Sequence, residues 1–229
     1  LNDMDKGVRP MQNIFFLKWA LYYGVDVTWN ILTGFPGEID ADYQGQIDIL
    51  QSLTHLQPPI GVGDLWLERF SPYFTRPGDY GVTIKGPSEA YPYVYDANKM
   101  DLMKIAYDFE FEAENQVSPQ MSQKLKETVA EWRSRHESEQ VPFLFFTKSL
   151  DFVTVYDGRS VNESTKTRFE GIPAWILSYC NEKPMSLEKI QAHVKEKSAP
   201  DNVEEEAVAQ ALHDLEDKKI IYHERGKYL

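Results

Sequence analysis

The chain has 229 residues, 42% of them hydrophobic and 13% aromatic, which is enough apolar material for one sizeable core or two small ones and excludes a disordered chain. A net charge of −12 argues against a nucleic-acid-binding surface, and no apolar run is long enough to span a bilayer. Cys180 is the single cysteine, so no intrachain disulfide can form, which suits a reducing cytoplasm. In chain order, Ile14, Leu17, Lys18 and Leu21 at helical spacing predict an amphipathic helix over 11–23. The β-branched run from Val25 to Thr33 predicts a strand, and Ile47, Leu50 and Leu53 set the apolar stripe of a helix from Asp40 to Leu56. Between them lies Gly34-Phe35-Pro36-Gly37-Glu38, a corner whose glycines let a flat ligand approach the backbone. Leu65 to Phe70 predicts the next strand, making two βα steps in succession, an α/β arrangement.

From Ser71 to Tyr95 prolines, glycines and tyrosines sustain no period, as expected of a packed lid or functional loop. Asp101 to Glu112 predicts a helix with an extended end. Ser118 as N-cap and Pro119 in the first turn start a polar helix to about Glu139. Phe143–Thr147 and Phe152–Asp157 predict a hairpin around Lys148-Ser149. Helices from Ile172, from Ser186 and over Val203–Lys218, closed by the segments 220–222 and 225–228, have the order of a winged-helix module. The expected division is therefore 1–115, 116–164 and 165–229.

Several blocks together resemble the later half of a radical S-adenosylmethionine (SAM) domain. They are Lys6-Gly7-Val8 through Gln12, Lys18-Trp19-Ala20, Gly24-Val25-Asp26-Val27 and the Gly34–Glu38 corner. His55-Leu56-Gln57-Pro58-Pro59 and Leu67-Glu68-Arg69-Phe70-Ser71-Pro72-Tyr73-Phe74 are most similar to the cobalamin-dependent enzymes that mature ribosomally made peptides, ribosomal peptide maturation radical SAM protein 1. The likeness covers roughly residues 1–110 closely and the remainder loosely. It implies the C-terminal part of a partial (βα) barrel, followed by an α+β region and a winged-helix-like module. It implies SAM, a [4Fe–4S] cluster and cobalamin in the parent enzyme, and methylation of a precursor peptide at carbon, as in bacteriocin biosynthesis. A cluster of that kind needs three thiolates, and a single cysteine cannot supply them. The chain, opening at Leu1 without methionine, is therefore expected to be a C-terminal piece, with the cluster and cobalamin domains upstream and no activity alone.

The resemblance places Asn30, Leu32, Gly34, Phe35, Pro36, Gly37 and Glu38 against the adenine of SAM, with one residue more before the acid than the simplest pattern has. Glu38 reads equally as a carboxylate at a helix N-terminus. His55, Arg69 and Tyr73 are the candidate catalytic residues: Arg69 to hold a carboxylate, Tyr73 to donate to a carbonyl or face the cobalamin. The plainer readings are a helix-end cap for His55, a rim ion pair with Glu68 or Asp64 for Arg69, and core packing for Tyr73. No metal-ligating set is present. Tyr91-Pro92-Tyr93-Val94-Tyr95 suits a peptide groove or lid packing. Cys180 suits burial, with hydrogen-atom donation as a peptide epimerase would require the alternative. In the last module acids slightly outnumber bases and Glu204-Glu205-Glu206 opens the third helix, which repels phosphate. Leader-peptide binding by β-augmentation or a structural cap remain as its roles, the former also open to a protein that is not an enzyme.

Overall fold

The computed structural model describes residues 9–114, 117–198 and 203–229. Lys6-Gly7-Val8 and the boundary expected at 115/116 lie outside the described residues. The architecture is mixed α/β, and the chain packs as two compact units. One comprises Leu1–Val27, Gln51–Pro58 and Ser134–Leu229; the other comprises Thr28–Leu50 and Pro59–Arg133.

The second unit is built on a parallel pair. Strand β1 (Ile31–Thr33) and strand β2 (Val62–Asp64) align in register, Ile31 opposite Val62, and are joined through helix α2 (Asp40–Ser52). Tyr43, Ile47 and Leu50 form the buried stripe of α2. A further helix, Pro119–His136, lays Leu125, Val129 and Trp132 into the same core, Trp132 packing edge-on to Trp29 at 5.9 Å. Its start is held as the sequence predicts: the Met121 amide donates to Ser118 Oγ at 3.2 Å, and Ser118 donates in turn from its amide and hydroxyl to Asp40 at 2.6 and 2.9 Å.

Strand β1 is shorter than the β-branched run predicts. The Gln57 side chain takes the place of a neighbouring strand, accepting from the Val27 amide at 2.8 Å and donating to the Val25 carbonyl at 2.7 Å. The second expected βα step at Leu65–Phe70 is not formed. The parallel partner is β2, and Leu67–Glu68 (β3) instead pairs antiparallel with Asp108–Ala113 (β5), in a sheet of order β3-β5-β4 whose last strand is Val82–Pro87. The stretch 71–95 is accordingly more regular than its composition suggests, with short helices α3 (Pro72–Thr75) and α4 (Tyr91–Val94) around β4. The helix expected over 101–112 is reduced to one turn, α5 (Leu102–Ile105), before β5.

The first unit carries the larger apolar core. Helix α1 (Pro10–Tyr22) buries Met11, Ile14, Leu17 and Ala20. The helix Pro119–His136, α6, is followed by an antiparallel meander of β6 (Leu144–Lys148), β7 (Phe152–Asp157) and β8 (Thr165–Glu170). Helices α7 (Ile172–Cys180), α8 (Leu187–Ser198) and α9 (Glu205–Asp217) follow, with a small sheet of order β10-β11-β9, formed by His223–Glu224, Lys227–Tyr228 and Met185–Ser186. Val153 and Val155 of the meander share one buried cluster with Ile176, Ile190, Val194, Leu212 and Leu215 of the helices, so the core runs across the boundary expected at 164/165.

Candidate functional site

Of the residues expected to meet a cofactor, Asn30 precedes β1, Leu32 lies within it, and Gly34 to Glu38 follow its carboxyl end, the end at which α/β units place ligands. Asn30 is exposed and Leu32 is 37% exposed, whereas Thr33 turns inward and donates to Asp64 Oδ1 at 3.1 Å. The chain then bends twice through left-handed backbone, at Gly34 (φ 80) and Gly37 (φ 83), where a side chain is strained. Phe35 is 4% exposed and packs against Tyr73 at 6.1 Å, which packs in turn against Tyr80 at 4.5 Å. Phe35 and Tyr73 are thus brought together, but as one aromatic stack inside the unit. Pro36 is half-buried, and the Gly37 amide donates to the Glu114 carbonyl at 2.9 Å.

Glu38 is 7% exposed, and its Oε2 accepts from the Gly34 amide, the Phe35 amide and the Tyr43 hydroxyl, each at 3.0 Å. The carboxylate therefore faces back into the corner, and Asp42, accepting from the Ile39 amide at 3.0 Å, serves the start of the helix. Burial, opposed by the Gly34 amide and reinforced by Glu38, raises the Tyr43 phenol above its ordinary pKa. Tyr43 and Asp64 belong to this corner and were not singled out from sequence. The available signal is spacing: an aromatic one turn into the helix that follows a glycine corner, and an acid ending the next parallel strand.

Arg69 is not at the carboxyl end of a parallel strand, because β3 lies in the antiparallel sheet. Its guanidinium closes the 102–106 turn, donating from Nε to the Ala106 carbonyl at 2.6 Å and from Nη2 to Met103 at 2.5 Å, and it lies over the Phe109 ring at 5.0 Å. Among the described residues Arg69 forms no ion pair with Glu68 or Asp64. Phe70 beside it has φ 73, an uncommon conformation for an aromatic residue, which ends β3.

His55 lies in the first unit, in the turn after α2. Burial first, then the Arg159 guanidinium, pushes its imidazole down to about 3, and its Nδ1 is buried without a partner. At neutral pH such a ring is uncharged and a weak base, far from the poise that proton transfer requires. Its surroundings are structural. Arg159 pairs with Asp157 at 2.6 Å and donates to the carbonyls of Ser52, Lys218 and Lys219, closing the carboxyl ends of two helices with one guanidinium. A shallow cavity of about 270 Å³ opens beside Ser52, Arg159 and Lys219, but the guanidinium on its wall is already engaged.

No family model, curated protein or solved structure matches the chain. Among the described residues no three His, Cys, Asp or Glu side chains gather closely enough to hold a metal ion. Cys180 is 2% exposed in the C-terminal core, where burial pushes its thiol up to about 12, partly countered by Lys18, the reverse of a ligating or reactive thiolate. Lys18, held down to about 8 by burial, donates to the Asn181 carbonyl at 2.6 Å. Among the described residues no helix is long and apolar enough to cross a membrane.

Proposed function

We propose that the chain is the C-terminal portion of a cobalamin-dependent radical SAM enzyme acting on a ribosomally made peptide. The observation that carries this reading is the corner after β1: a parallel β1-α2-β2 unit whose carboxyl end exposes Leu32 and the left-handed Gly34. A half-exposed aliphatic side chain next to a backbone without a Cβ suits the face of an adenine ring. When bound in a parent enzyme, SAM and its cluster would supply radical chemistry and cobalamin a transferable methyl group. The residues here fit the adenine end of SAM alone. One buried cysteine does not fit the cluster, and no step is assigned to the cluster or to cobalamin in this chain.

The C-terminal module supplies the peptide side of the reading. Three helices with a β10-β11-β9 sheet, in which the strand between the first two helices pairs with the last strand, support a winged-helix reading. Among the described residues strand β8 pairs only with β7, which leaves six residues of edge, enough to accept an extended leader segment by main-chain hydrogen bonds. Cys180, packed in the core, is not placed to serve as the thiol that an epimerase needs.

The coding sequence preceding Leu1 tests the proposal directly. A Cys-x3-Cys-x2-Cys loop behind a cobalamin-type α/β domain is the expected finding. A start codon at Leu1 with no such loop sinks it, leaving leader-peptide binding as the function to assay. Titrating SAM into the chain should shift the Leu32 methyl and Gly34 amide signals in NMR spectra. A titration that moves neither removes the cofactor assignment.

A further inference from the structure

The corner after β1 carries an anion of its own. Two successive amides, Gly34 and Phe35, converge on Glu38 Oε2 at 3.0 Å each, the pattern with which loops ordinarily hold a phosphate or carboxylate of a ligand. Tyr43 completes it. Its hydroxyl donates to the same oxygen at 3.0 Å and accepts from the Gly34 amide at 3.1 Å. Tyr43 is 2% exposed on the buried stripe of α2, so packing of the helix delivers that hydroxyl. Gly34 and Gly37 supply the left-handed bends that bring the acid back onto the amides only four residues later.

We infer that Glu38 and Tyr43 are a positioning pair that fills the corner's anion-binding amides, so that no amide there is left to receive an anionic ligand. An uncharged heterocycle lying on Leu32 and the Gly34 backbone is admitted; a phosphate or a carboxylate finds the amides occupied and a carboxylate in its way. This rests on the reading that the corner takes SAM, whose adenine is the uncharged end. It adds that selection between nucleoside and nucleotide is set by Glu38, and that Tyr43, which touches no ligand, acts through Glu38.

Amide NMR spectra of this chain test it with three probes: adenosine, SAM and inorganic phosphate. In the parent sequence phosphate should leave the Gly34 and Phe35 amides unmoved, and in Glu38→Ala it should shift both, a gain that a merely structural acid would not produce. Tyr43→Phe keeps the packing and removes the hydroxyl's hydrogen bonds to Glu38 and from the Gly34 amide, so exchange of that amide should quicken by about tenfold. Amides of the C-terminal core should be unchanged in the same sample. Phosphate shifting these amides in the parent sequence, no gain in Glu38→Ala, or unchanged exchange in Tyr43→Phe each overturns the inference. Should Glu38→Ala fail to fold, Tyr43→Phe and the parent-sequence titration still decide it. Adenosine and SAM moving nothing, while phosphate behaves as expected, refutes the SAM reading and leaves the lock standing.

Discussion

The corner after β1 and the C-terminal core hold their shapes by opposite means. The core of α7, α8, α9 and the meander is one cluster of buried, mostly aliphatic side chains, from Val153 to Ile221. Its attraction is non-directional and spread over many atoms, so no single contact defines it. The corner rests on strands of three residues, two left-handed glycines and one carboxylate oxygen taking three donors. There each bond is directional, and each has one position at which it can be made. A function that needs a ligand held in one orientation is better served by the second construction; a module that must stay folded is better served by the first.

The largest expected effect tests the first half of that contrast. Ile176 is fully buried at the centre of the core, and Ile176→Ala should lower stability by about 4 kcal/mol, from lost burial and the cavity left behind. Chemical denaturation followed by core amide exchange reads this. A loss below about 1 kcal/mol would mean the cluster is loosely packed, and the contrast would fail at its strong end.

Arg159 is where the first unit departs from its own apolar rule. Removing its side chain strands the Asp157 carboxylate and the carbonyls of Ser52, Lys218 and Lys219, and Arg159→Ala should cost about 3 kcal/mol. The double variant Asp157→Leu, Arg159→Met removes both charges and should cost less than the single one. If it costs more, the pair itself, and not the stranding of its partner, stabilises the unit.

His55 gives a pH test of the same neighbourhood. Its folded pKa of about 3 lies below the unfolded value near 6.5, so the unfolded chain binds the proton more readily. Its contribution is therefore full above about pH 6.5 and is lost as pH falls toward 3, the loss reaching about 2 kcal/mol by pH 5. His55→Phe should flatten that slope in urea denaturation between pH 7 and 4. Equal slopes would show the ring to be hydrated, and would reopen a proton-transfer role for it.

How much of this was legible in the sequence follows the same contrast. Local chemistry was readable: Ser118 and Pro119 announced α6, and the apolar spacing of Val208, Ala211, Leu212 and Leu215 announced α9. Long-range pairing was not. Val62-Gly63-Asp64 has little strand character yet forms the parallel partner of β1, whereas the more strand-like 65–70 run is cut short by its antiparallel partner and by Phe70. The polar alternation of Thr165–Glu170 becomes a strand because β7 offers it a register. At the corner the glycines and Glu38 were visible as a turn, but Tyr43 was not, since its role exists only once α2 has packed.

At the corner the effects should be smaller in energy and sharper in place. Gly34 sits at φ 80, and a Cβ there would meet only ordinary contacts, the nearest atom being the Leu65 amide nitrogen at 3.7 Å. The penalty of Gly34→Ala is therefore conformational, about 1.5 kcal/mol for a left-handed alanine, with little added by crowding. Its consequence for binding should exceed its consequence for folding. A shift of the backbone out of the left-handed region misaligns the Gly34 and Phe35 amides on Glu38, and with them the surface beside Leu32. Gly37→Ala, at φ 83 with open space around it, imposes a similar strain beyond the two locked amides and serves as the control. Equal destabilisation of the two variants, with amide shifts at Phe35 and Tyr43 only in Gly34→Ala, is the expected result by thermal melts and NMR. If both variants disturb Phe35 alike, the corner moves as one body, and its precision comes from the surrounding packing rather than from the bonds to Glu38.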